Sequence, residues 1–300
     1  MAVSVIPSHL IDQGAVEAEF TQLPLNNWWL RNHPATTVRA LDERSDMARR
    51  SMTPLAQFCW VDLMTPEVDR ARAFYSSVFG WEAREGDPEF GGYFMFFHDG
   101  VPVAGGMPDM SAGQAPTQWT PYLAVGDAEA SLSAVRQGGG TVVSDAMAVG
   151  SLGVMGVFVD PSGAVAGVWE PRDFPGFGAV DEPGAPRWFE LHTSGFGGAK
   201  AFFEDAFGWS TSMLSDTDEF RYATANEGEA QFAGINDTAH HPGGPGQPRW
   251  LVYFGVESCD QAVAAARAGG ATITMEPSDT PYGRLATITD PMGASFAVMQ

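Results

Sequence analysis

Two carboxylates and one histidine are the residues of this sequence whose types and spacing could support acid–base chemistry. His192 follows Glu190 by two positions, and Asp62 stands at the position of Glu190 in an earlier, similar segment. Because side chains alternate faces along a strand, Glu190 and His192 should point to the same side. A carboxylate among apolar neighbours has a raised pKa, which suits a general acid or base near neutral pH. Glu190, His192 and Asp62 are therefore candidate catalytic residues; the alternative is a structural hydrogen-bonding role.

Aromatic residues surround these candidates along the sequence. Trp60 and Trp188 lie two positions before Asp62 and Glu190, on the same predicted strand face. An aromatic pocket with few polar groups is typical of a small-molecule site, whereas the alternative is ordinary core or inter-domain packing. Alternation along the other strands extends the predicted substrate-binding set beyond Trp60 and Trp188 to Trp119, Trp169, Trp250, Phe254 and Met299.

The segments that carry these residues are two copies of one repeat. Residues 60–81 read WVDLMTPEVDRARAFYSSVFGW, and residues 188–209 read WFELHTSGFGGAKAFFEDAFGW. Further matching blocks follow in the same order and end with DPSGAVAGVWE at 160–170 and DPMGASFAVMQ at 290–300. Such a repeat predicts two domains of one fold. The predicted division is an N-terminal extension at 1–54, a first domain at 55–172, a Pro- and Gly-rich linker at 173–186 and a second domain at 187–300.

Each copy contains the elements of a small α+β domain. The strand WVDLM precedes a helix predicted to start with Thr65 as N-cap and to stop at Gly80. A hairpin is expected to turn at Asp99-Gly100. A second strand–helix pair and two closing strands complete the copy. Each domain is thus predicted to consist of two β-α-β-β-β modules.

A family resemblance follows from these motifs. The pattern W-x-[DE]-L-x-T, A-[RK]-A-F-[YF], F-G-W and a later D-P-x-G-A resembles the vicinal-oxygen-chelate superfamily of glyoxalases, bleomycin-resistance proteins and dioxygenases. Within it, the chain is similar to tandem-domain actinobacterial members described as glyoxalase-like proteins or hydroxylases. The resemblance implies that each pair of modules forms a curved open sheet around a cavity. It does not determine the activity, because isomerases, lyases, dioxygenases, antibiotic-modifying enzymes and drug-binding proteins share this fold.

The resemblance also implies where a metal would be bound, since metal-dependent members place His, Gln or Glu at inward strand positions. None of the side chains at the equivalent positions can ligate a divalent cation, so we predict no family-type metal site and no cofactor. Those positions are Trp60 and Trp188, Pro121 and Val252, Gly167 and Ala297, and the segments 103–105 and 232–234. The adjacent histidines His240 and His241 stand in a Pro- and Gly-rich segment and are interpreted as a solvated loop, with a two-ligand metal site as the alternative.

Composition limits the classes of partner. The net charge is −21 and Lys200 is the one lysine, so nucleic acid and anionic membranes are not expected as partners. No apolar run approaches the roughly 20 residues of a transmembrane helix, and the first residues lack a basic signal-peptide start, so a cytoplasmic location is expected. Cys59 and Cys259 form neither a disulfide framework nor a zinc-spaced pair. A tandem chain supplies its own domain pairing, so a monomer or homodimer is expected.

The extension at 1–54 lies outside the repeat. Its Trp28-Trp29 pair favours an arm that packs on the globular part or on a second subunit, and an upstream start codon is the alternative.

Two classes of function are compatible with these residues. The first is a metal-independent enzyme acting by acid–base chemistry on a small apolar or aromatic metabolite, for instance in natural-product biosynthesis. The second is a non-catalytic protein that sequesters a hydrophobic compound or drug. A metal-dependent glyoxalase or dioxygenase is a weaker alternative. No P-loop, nucleophile elbow or dinucleotide fingerprint occurs in the sequence.

Overall fold

The computed structural model describes residues 53–86, 91–109, 116–217, 219–241 and 246–300. The N-terminal extension with Trp28 and Trp29 therefore lies outside the described residues, except for its last two positions. In the described part, sixteen strands form two eight-stranded sheets, with two helices in each half of the chain. None of these helices has the length and apolar run needed to cross a membrane.

The first unit contains ten elements in two β-α-β-β-β modules. The first module consists of β1 (Phe58–Thr65), α1 (Val68–Phe79), β2 (Glu82–Glu85), β3 (Phe94–His98) and β4 (Val101–Pro108). The second consists of β5 (Gln118–Ala124), α2 (Ala128–Gln137), β6 (Thr141–Val149), β7 (Gly153–Val159) and β8 (Val165–Pro171). The strands lie in the order β2-β3-β4-β1-β5-β8-β7-β6.

The second unit repeats this arrangement. Its first module consists of β9 (Pro186–Thr193), α3 (Phe196–Phe207), β10 (Ser210–Asp216), β11 (Arg221–Glu227) and β12 (Ala230–Asp237). Its second consists of β13 (Arg249–Gly255), α4 (Cys259–Ala268), β14 (Thr272–Thr280), β15 (Gly283–Thr289) and β16 (Ser295–Met299). The strand order β10-β11-β12-β9-β13-β16-β15-β14 is that of the first sheet. The predicted α+β fold of tandem module pairs is confirmed.

Helix α1 ends where the sequence predicts but starts later. Gly80 has a φ of 71°, a left-handed conformation that glycine adopts without strain, and its N–H bonds back to the Ser76 carbonyl. At the other end the predicted N-cap is wrong, because Thr65 is still paired in β1 and the helix begins at Val68. The Thr65 hydroxyl instead accepts a hydrogen bond from the Glu67 N–H at 3.3 Å.

Each sheet has two faces, which the pairing of β1 with β5 defines in the first unit. Trp60 lies opposite Tyr122 and Asp62 opposite Thr120, so these side chains share one face, here called the inner face. Leu63 lies opposite Trp119 on the other face, here called the helix face, because it packs on the helices.

The helix faces of the two units share one hydrophobic core. The Phe58 ring of the first unit lies 4.5 Å from the Phe189 ring and 4.9 Å from the Trp250 ring of the second. The Trp81 indole donates to the Gly184 carbonyl at 2.7 Å, and its repeat equivalent Trp209 donates to the Ala56 carbonyl at 2.8 Å. These reciprocal contacts join the two units through one continuous core.

A buried tyrosine joins the units on one side of this core. The Tyr75 hydroxyl of α1 donates to Asp290 Oδ2 at 2.8 Å and accepts from the Trp119 indole N–H at 3.0 Å. The repeat equivalent of Tyr75 is Phe203, which has no hydroxyl. On that side Asp160 Oδ2 and Trp250 Nε1 are buried and have no hydrogen-bond partner among the described residues.

The linker packs against the first unit. The Phe177 N–H donates to the Cys59 carbonyl at 2.8 Å, and the Gly178 N–H donates to the Pro102 carbonyl at 2.7 Å. The rings of Phe174 and Phe177 lie 4.8 Å and 5.5 Å from the Trp60 ring. The linker therefore covers part of the first inner face.

Candidate functional site

The inner face of the second unit carries a buried carboxylate with four hydrogen-bond partners. Glu190 Oε1 lies 2.6 Å from His192 Nε2 and accepts from the Tyr253 hydroxyl at 3.1 Å and from Asn236 Nδ2 at 3.4 Å. Glu190 Oε2 accepts from the Tyr222 hydroxyl at 2.8 Å. Glu190 and His192 are only 6% and 5% exposed. Strand alternation in β9 brings the two together, as the sequence predicts.

These donors keep Glu190 ionised. Burial alone would raise its pKa, but the hydrogen bond and charge of His192, with the bonds from Tyr222 and Asn236, lower the pKa below its usual value. The sequence-based expectation of a raised pKa is therefore wrong for Glu190. Apolar neighbours alone favour a raised pKa, but His192 on the same strand, followed by Tyr222 on β11 and Asn236 on β12, has the opposite effect.

Partly exposed residues form the rim of this inner face. We use "the rim" for Trp188, His241, Arg249 and Tyr282, which are neither buried nor fully exposed. Tyr282 packs against the apolar residues of this face, and burial and the Glu190 charge raise its pKa to about 12. Below the rim the face is apolar and consists of Leu251, Met275, Leu285, Ala297 and Met299, with the Tyr253 ring among them.

The first unit has a smaller version of the same cluster. Asp62 Oδ1 accepts from the Trp60 indole N–H at 2.9 Å and from the Tyr93 hydroxyl at 2.8 Å, and Tyr122 is a further donor. Burial raises the Asp62 pKa to about 6, although the hydrogen bonds from Tyr93, Trp60 and Tyr122 oppose this shift. Here the expectation of a raised pKa agrees with the environment. Met64 stands in place of His192, so this cluster has no basic partner.

The two inner faces also differ in access. Trp60 is 5% exposed beneath the linker rings, whereas Trp188 is partly exposed and no aromatic ring of the described residues packs on it. Trp169 lies on the first inner face, as predicted, and its indole N–H donates to the Phe174 carbonyl at 2.9 Å. The second inner face is therefore the more accessible of the two.

Two glycines allow the tyrosines to reach the carboxylates. A Cβ on Gly105 would lie 2.0 Å from the Tyr93 hydroxyl, and one on Gly234 would lie 1.8 Å from the Tyr222 hydroxyl. The sequence analysis missed these tyrosines, although Tyr93 and Tyr222 occupy equivalent positions in the two copies. Their recurrence was a signal that an alignment of the repeat could have shown.

Three predicted substrate-binding residues lie on the wrong face. Trp119 and Trp250 pair with Leu63 and Leu191, on the helix face. Phe254 packs on Trp81 and Trp119 in the shared core. The prediction that Trp119, Trp250 and Phe254 face inward is wrong. Strands β5 and β13 carry large aromatic residues on both faces, with Tyr122 and Tyr253 on the inner one, so their phase does not follow from the aromatic pattern. Met299 lies on the inner face, as predicted.

The facing of β5 and β13 also changes one pair of the positions at which the resemblance would place a metal ligand. Pro121 and Val252 lie on the helix face, and their inner-face neighbours are Tyr122 and Tyr253. At the other positions, Trp60 and Trp188 offer indole N–H groups that donate to Asp62 and Tyr222, and a protonated indole nitrogen cannot ligate a metal. Among the described residues, no three His, Cys, Asp or Glu side chains are grouped to hold an ion. The side chains present do not fit the metal that many members of this fold bind.

The adjacent histidines have different environments. His240 is exposed, as a loop interpretation predicts. His241 is half-buried at the rim, where burial and the charge of His192 lower its pKa. A cavity of about 360 Å³ lies elsewhere, at the start of α3, and contains no predicted site residue; among its lining residues are Phe196, Arg221 and Asp237.

Comparison with known proteins identifies the class. Residues 188–298 match the family described as Glyoxalase/Bleomycin resistance protein/Dioxygenase superfamily, and residues 59–168 match the Glyoxalase-like domain family. The fold also resembles the Mn(II)-bound glyoxalase from Novosphingobium aromaticivorans, with a TM-score of 0.57, 19% identity and coverage of 81% of this chain and 82% of that one. The chain belongs to the glyoxalase/bleomycin-resistance/dioxygenase superfamily.

Two curated relatives are more similar in sequence. The anthracycline biosynthesis protein DnrV of Streptomyces peucetius is 35% identical over 258 residues, covering 80% of this chain and 92% of that protein. The Mycobacterium tuberculosis protein named "Putative glyoxylase CFP32" is 36% identical over 247 residues, covering 80% of this chain and 93% of that protein. Both matches span most of the relative's length.

Proposed function

We propose that this protein is a metal-independent enzyme that uses the second inner face for acid–base chemistry on a small apolar or aromatic metabolite. The observation that carries the proposal is the buried contact of 2.6 Å between His192 Nε2 and Glu190 Oε1. An ionised carboxylate accepts a hydrogen bond from a neighbouring imidazole N–H and so fixes the tautomer of the ring.

In this arrangement His192 is the catalytic residue and Glu190 positions it. With Nε2–H donating a hydrogen bond to Glu190, Nδ1 carries the lone pair and can accept a proton from a bound ligand. Protonated His192 is stabilised by the adjacent carboxylate and can return the proton at another atom of the ligand. Such a transfer supports isomerisation, dehydration, cyclisation or ring opening without a redox partner.

Asp62 is assigned a structural role in this proposal. It is a third catalytic candidate by its position in the repeat, but Met64 stands where Glu190 has His192, so Asp62 has no basic partner. We retain Trp60 and Trp169 as packing residues of the first inner face. The proposed ligand contacts are Trp188 and Met299.

The apolar lining and the relatives together favour a natural-product substrate. Leu251, Met275 and Leu285 provide an apolar surface suited to a planar or aliphatic ring system. DnrV is named as a protein of anthracycline biosynthesis, and we extend that class of aromatic metabolite to this chain by proposal. We further propose that the protein acts in the cytoplasm as a monomer or homodimer. Because its net charge is −21, we expect neither nucleic acid nor an anionic membrane as a partner.

The proposal is tested by turnover of aromatic polyketide-type compounds, followed by mass spectrometry. His192→Met copies the residue of the first unit, and Glu190→Gln removes the charge while keeping the shape. Both should lower kcat by about 100-fold or more, the range for a general acid–base group. Asp62→Asn is the matched control and should retain turnover. Full activity of His192→Met would refute the assignment, and loss of activity on chelation with recovery by a metal would refute metal independence.

A binding protein is the alternative function, favoured by the enclosed apolar surface below the rim. It predicts tight binding with quenching of tryptophan fluorescence and recovery of the unaltered ligand. A chemically changed ligand after incubation would exclude this alternative for the compound tested.

A further inference from the structure

Arg249 stands apart from the other arginines that the structure describes. Each of the other nine has a carboxylate oxygen within 4.0 Å, as seen in the pairs of Arg221 with Asp216 at 2.7 Å and Arg267 with Glu276 at 2.7 Å. Arg249 forms no such pair within the described ranges. Its one hydrogen bond seen there is a long contact of 3.4 Å from Nη1 to the Gln247 carbonyl.

The position of Arg249 is on the second inner face. It is the first residue of β13 and lies directly opposite His192 in the antiparallel pair of β13 with β9. Residues opposite one another in such a pair point to the same side of the sheet. The guanidinium therefore belongs to the rim of the face that carries Glu190 and His192.

The surroundings of the Arg249 guanidinium disfavour its positive charge. Its Nε atom is buried and has no hydrogen-bond partner in the described residues. Burial lowers the Arg249 pKa, and the opposing effects of Tyr253 and Glu190 do not restore it. A partly desolvated cation without a carboxylate partner is unfavourable unless an anion compensates it.

Among the residues that the structure describes, no carboxylate pairs with Arg249. Glu190 is the acidic residue of this face, and its two oxygens already accept bonds from His192, Tyr222, Tyr253 and Asn236. The sequence immediately before Arg249, PGGPGQP at 242–248, contains no acidic residue.

The first unit offers a natural comparison. Gln118 is the repeat equivalent of Arg249, and it lies opposite Met64, the equivalent of His192. The cation and the imidazole thus occur together in the accessible unit, and both are replaced by uncharged residues in the covered one. This co-occurrence links Arg249 to the ligand and not to the fold that both units share.

We propose that Arg249 is an anion-recognition residue, and that the ligand of the second inner face is an aromatic compound with an anionic oxygen group. The guanidinium binds this group through charge-assisted hydrogen bonds, which arginine forms in a planar, two-pronged geometry. The aromatic part of the ligand then lies over the apolar surface below the rim. This inference rests on the proposed function for the location of the site, but binding can be measured whether or not the ligand is converted.

Calorimetry with three probes tests the anion requirement. The probes are 2-naphthoate, which carries a carboxylate, the ionised form of 2-hydroxy-1,4-naphthoquinone, which carries an enolate, and neutral 2-naphthamide. The wild-type protein should bind one or both anions about 10- to 100-fold more tightly than the amide, the factor expected for a hydrogen bond to a charged group. The preferred anion shows whether a carboxylate or an enolate is recognised. Equal affinity for the amide and for both anions would overturn the proposal.

Variants assign the preference to Arg249. Arg249→Gln copies Gln118 of the first unit and should abolish the preference for the anion while leaving affinity for the amide unchanged. Arg249→Lys keeps the charge and should retain part of the preference, and an unchanged Kd for the amide shows that either variant is folded. Arg267→Gln removes an exposed, paired arginine of the same unit and should change nothing. A preference that survives in Arg249→Gln would refute the role of this residue.

His192→Met separates this inference from the proposed function. If both are correct, this variant loses turnover and keeps its preference for the anion. Retained turnover in His192→Met would remove the acid–base assignment alone. Lost turnover in His192→Met, together with a preference for the anion that survives in Arg249→Gln, would remove the role of Arg249 alone.

Discussion

Restoring one hydroxyl to the shared core should stabilise the protein. Phe203 lies against Trp250 with ring centroids 5.6 Å apart at 85°, and Tyr75 lies against Trp119 at 5.2 Å and 78°. The two rings thus occupy equivalent places, but only the tyrosine connects its tryptophan to an aspartate of the other unit. Phe203→Tyr would place a hydroxyl beside both Trp250 Nε1 and Asp160 Oδ2.

The magnitude follows from the number of groups that gain a partner. Each buried polar group without a partner costs about 1–3 kcal/mol. Two such atoms, Trp250 Nε1 and Asp160 Oδ2, are the repeat equivalents of the two atoms that Tyr75 joins. Part of the gain is offset by the volume of an additional oxygen in a packed core. We therefore expect Phe203→Tyr to raise the free energy of unfolding by about 1–3 kcal/mol.

Thermal unfolding measures this change directly. For a protein of this size, Tm should rise by about 2–4 °C for each kcal/mol. The reverse change, Tyr75→Phe, should lower Tm by a comparable amount, because it leaves Asp290 Oδ2 and Trp119 Nε1 without their partner. In a Trp250→Phe background the gain from Phe203→Tyr should be smaller. An unchanged or lowered Tm for Phe203→Tyr, with Tyr75→Phe destabilising as expected, would refute the reasoning.

Three further changes test the two inner faces. Burial raises the folded-state pKa of Asp62 from 3.8 to about 6, so its contribution to stability is complete below about pH 4 and is lost as the pH rises through 6. In urea unfolding, the free energy of unfolding of Asp62→Asn should therefore increase relative to wild type by up to about 3 kcal/mol between pH 4 and pH 7. A difference between the two proteins that does not depend on pH would contradict the shift. Phe174→Ala should lower the free energy of unfolding by about 1–3 kcal/mol, less than for a fully buried Phe. It should also make the tryptophan fluorescence of the first unit accessible to quenching by acrylamide. Unchanged quenching would show that Phe174 does not cover Trp60. Gly234→Ala should displace the Tyr222 hydroxyl and weaken ligand binding. In the control Gly197→Ala the added Cβ meets nothing within 4 Å, so the Kd should not change. Equal effects of the two variants on Kd would argue against the close approach of Tyr222 to Gly234.

The fold could be predicted from the sequence because each strand and helix occurs twice, once in each copy of the repeat, and both copies indicate the same element. The alternation in WVDLM and WFELH also placed Asp62, Glu190 and His192 on one face of their strands. These are local properties, since the period of a strand determines which neighbours share a face.

The remaining features depend on contacts between distant segments. The run WTPYLAV carries large aromatic residues on both faces, so its phase is determined only by pairing with β1, and Trp119 was placed on the wrong side. The hydrogen bonds of Tyr222 and Tyr253 to Glu190 require strands far apart in sequence to meet. The bond from Tyr222 adds to the larger effect of His192, and together with Asn236 they lower the Glu190 pKa against the effect of burial. The cover formed by Phe174 is likewise absent from any pattern in its Pro- and Gly-rich segment.

The reciprocal contacts of Trp81 and Trp209 have an evolutionary consequence. In a symmetric dimer of single units, every substitution appears in both subunits, so a costly buried cation or histidine would be introduced twice. A covalent tandem keeps the paired core but lets each half change by itself. One half can then retain stability through Met64 and Gln118, while the other carries the less stable pair His192 and Arg249. Fusion of this kind provides a route by which a symmetric scaffold acquires one specialised site without weakening both halves.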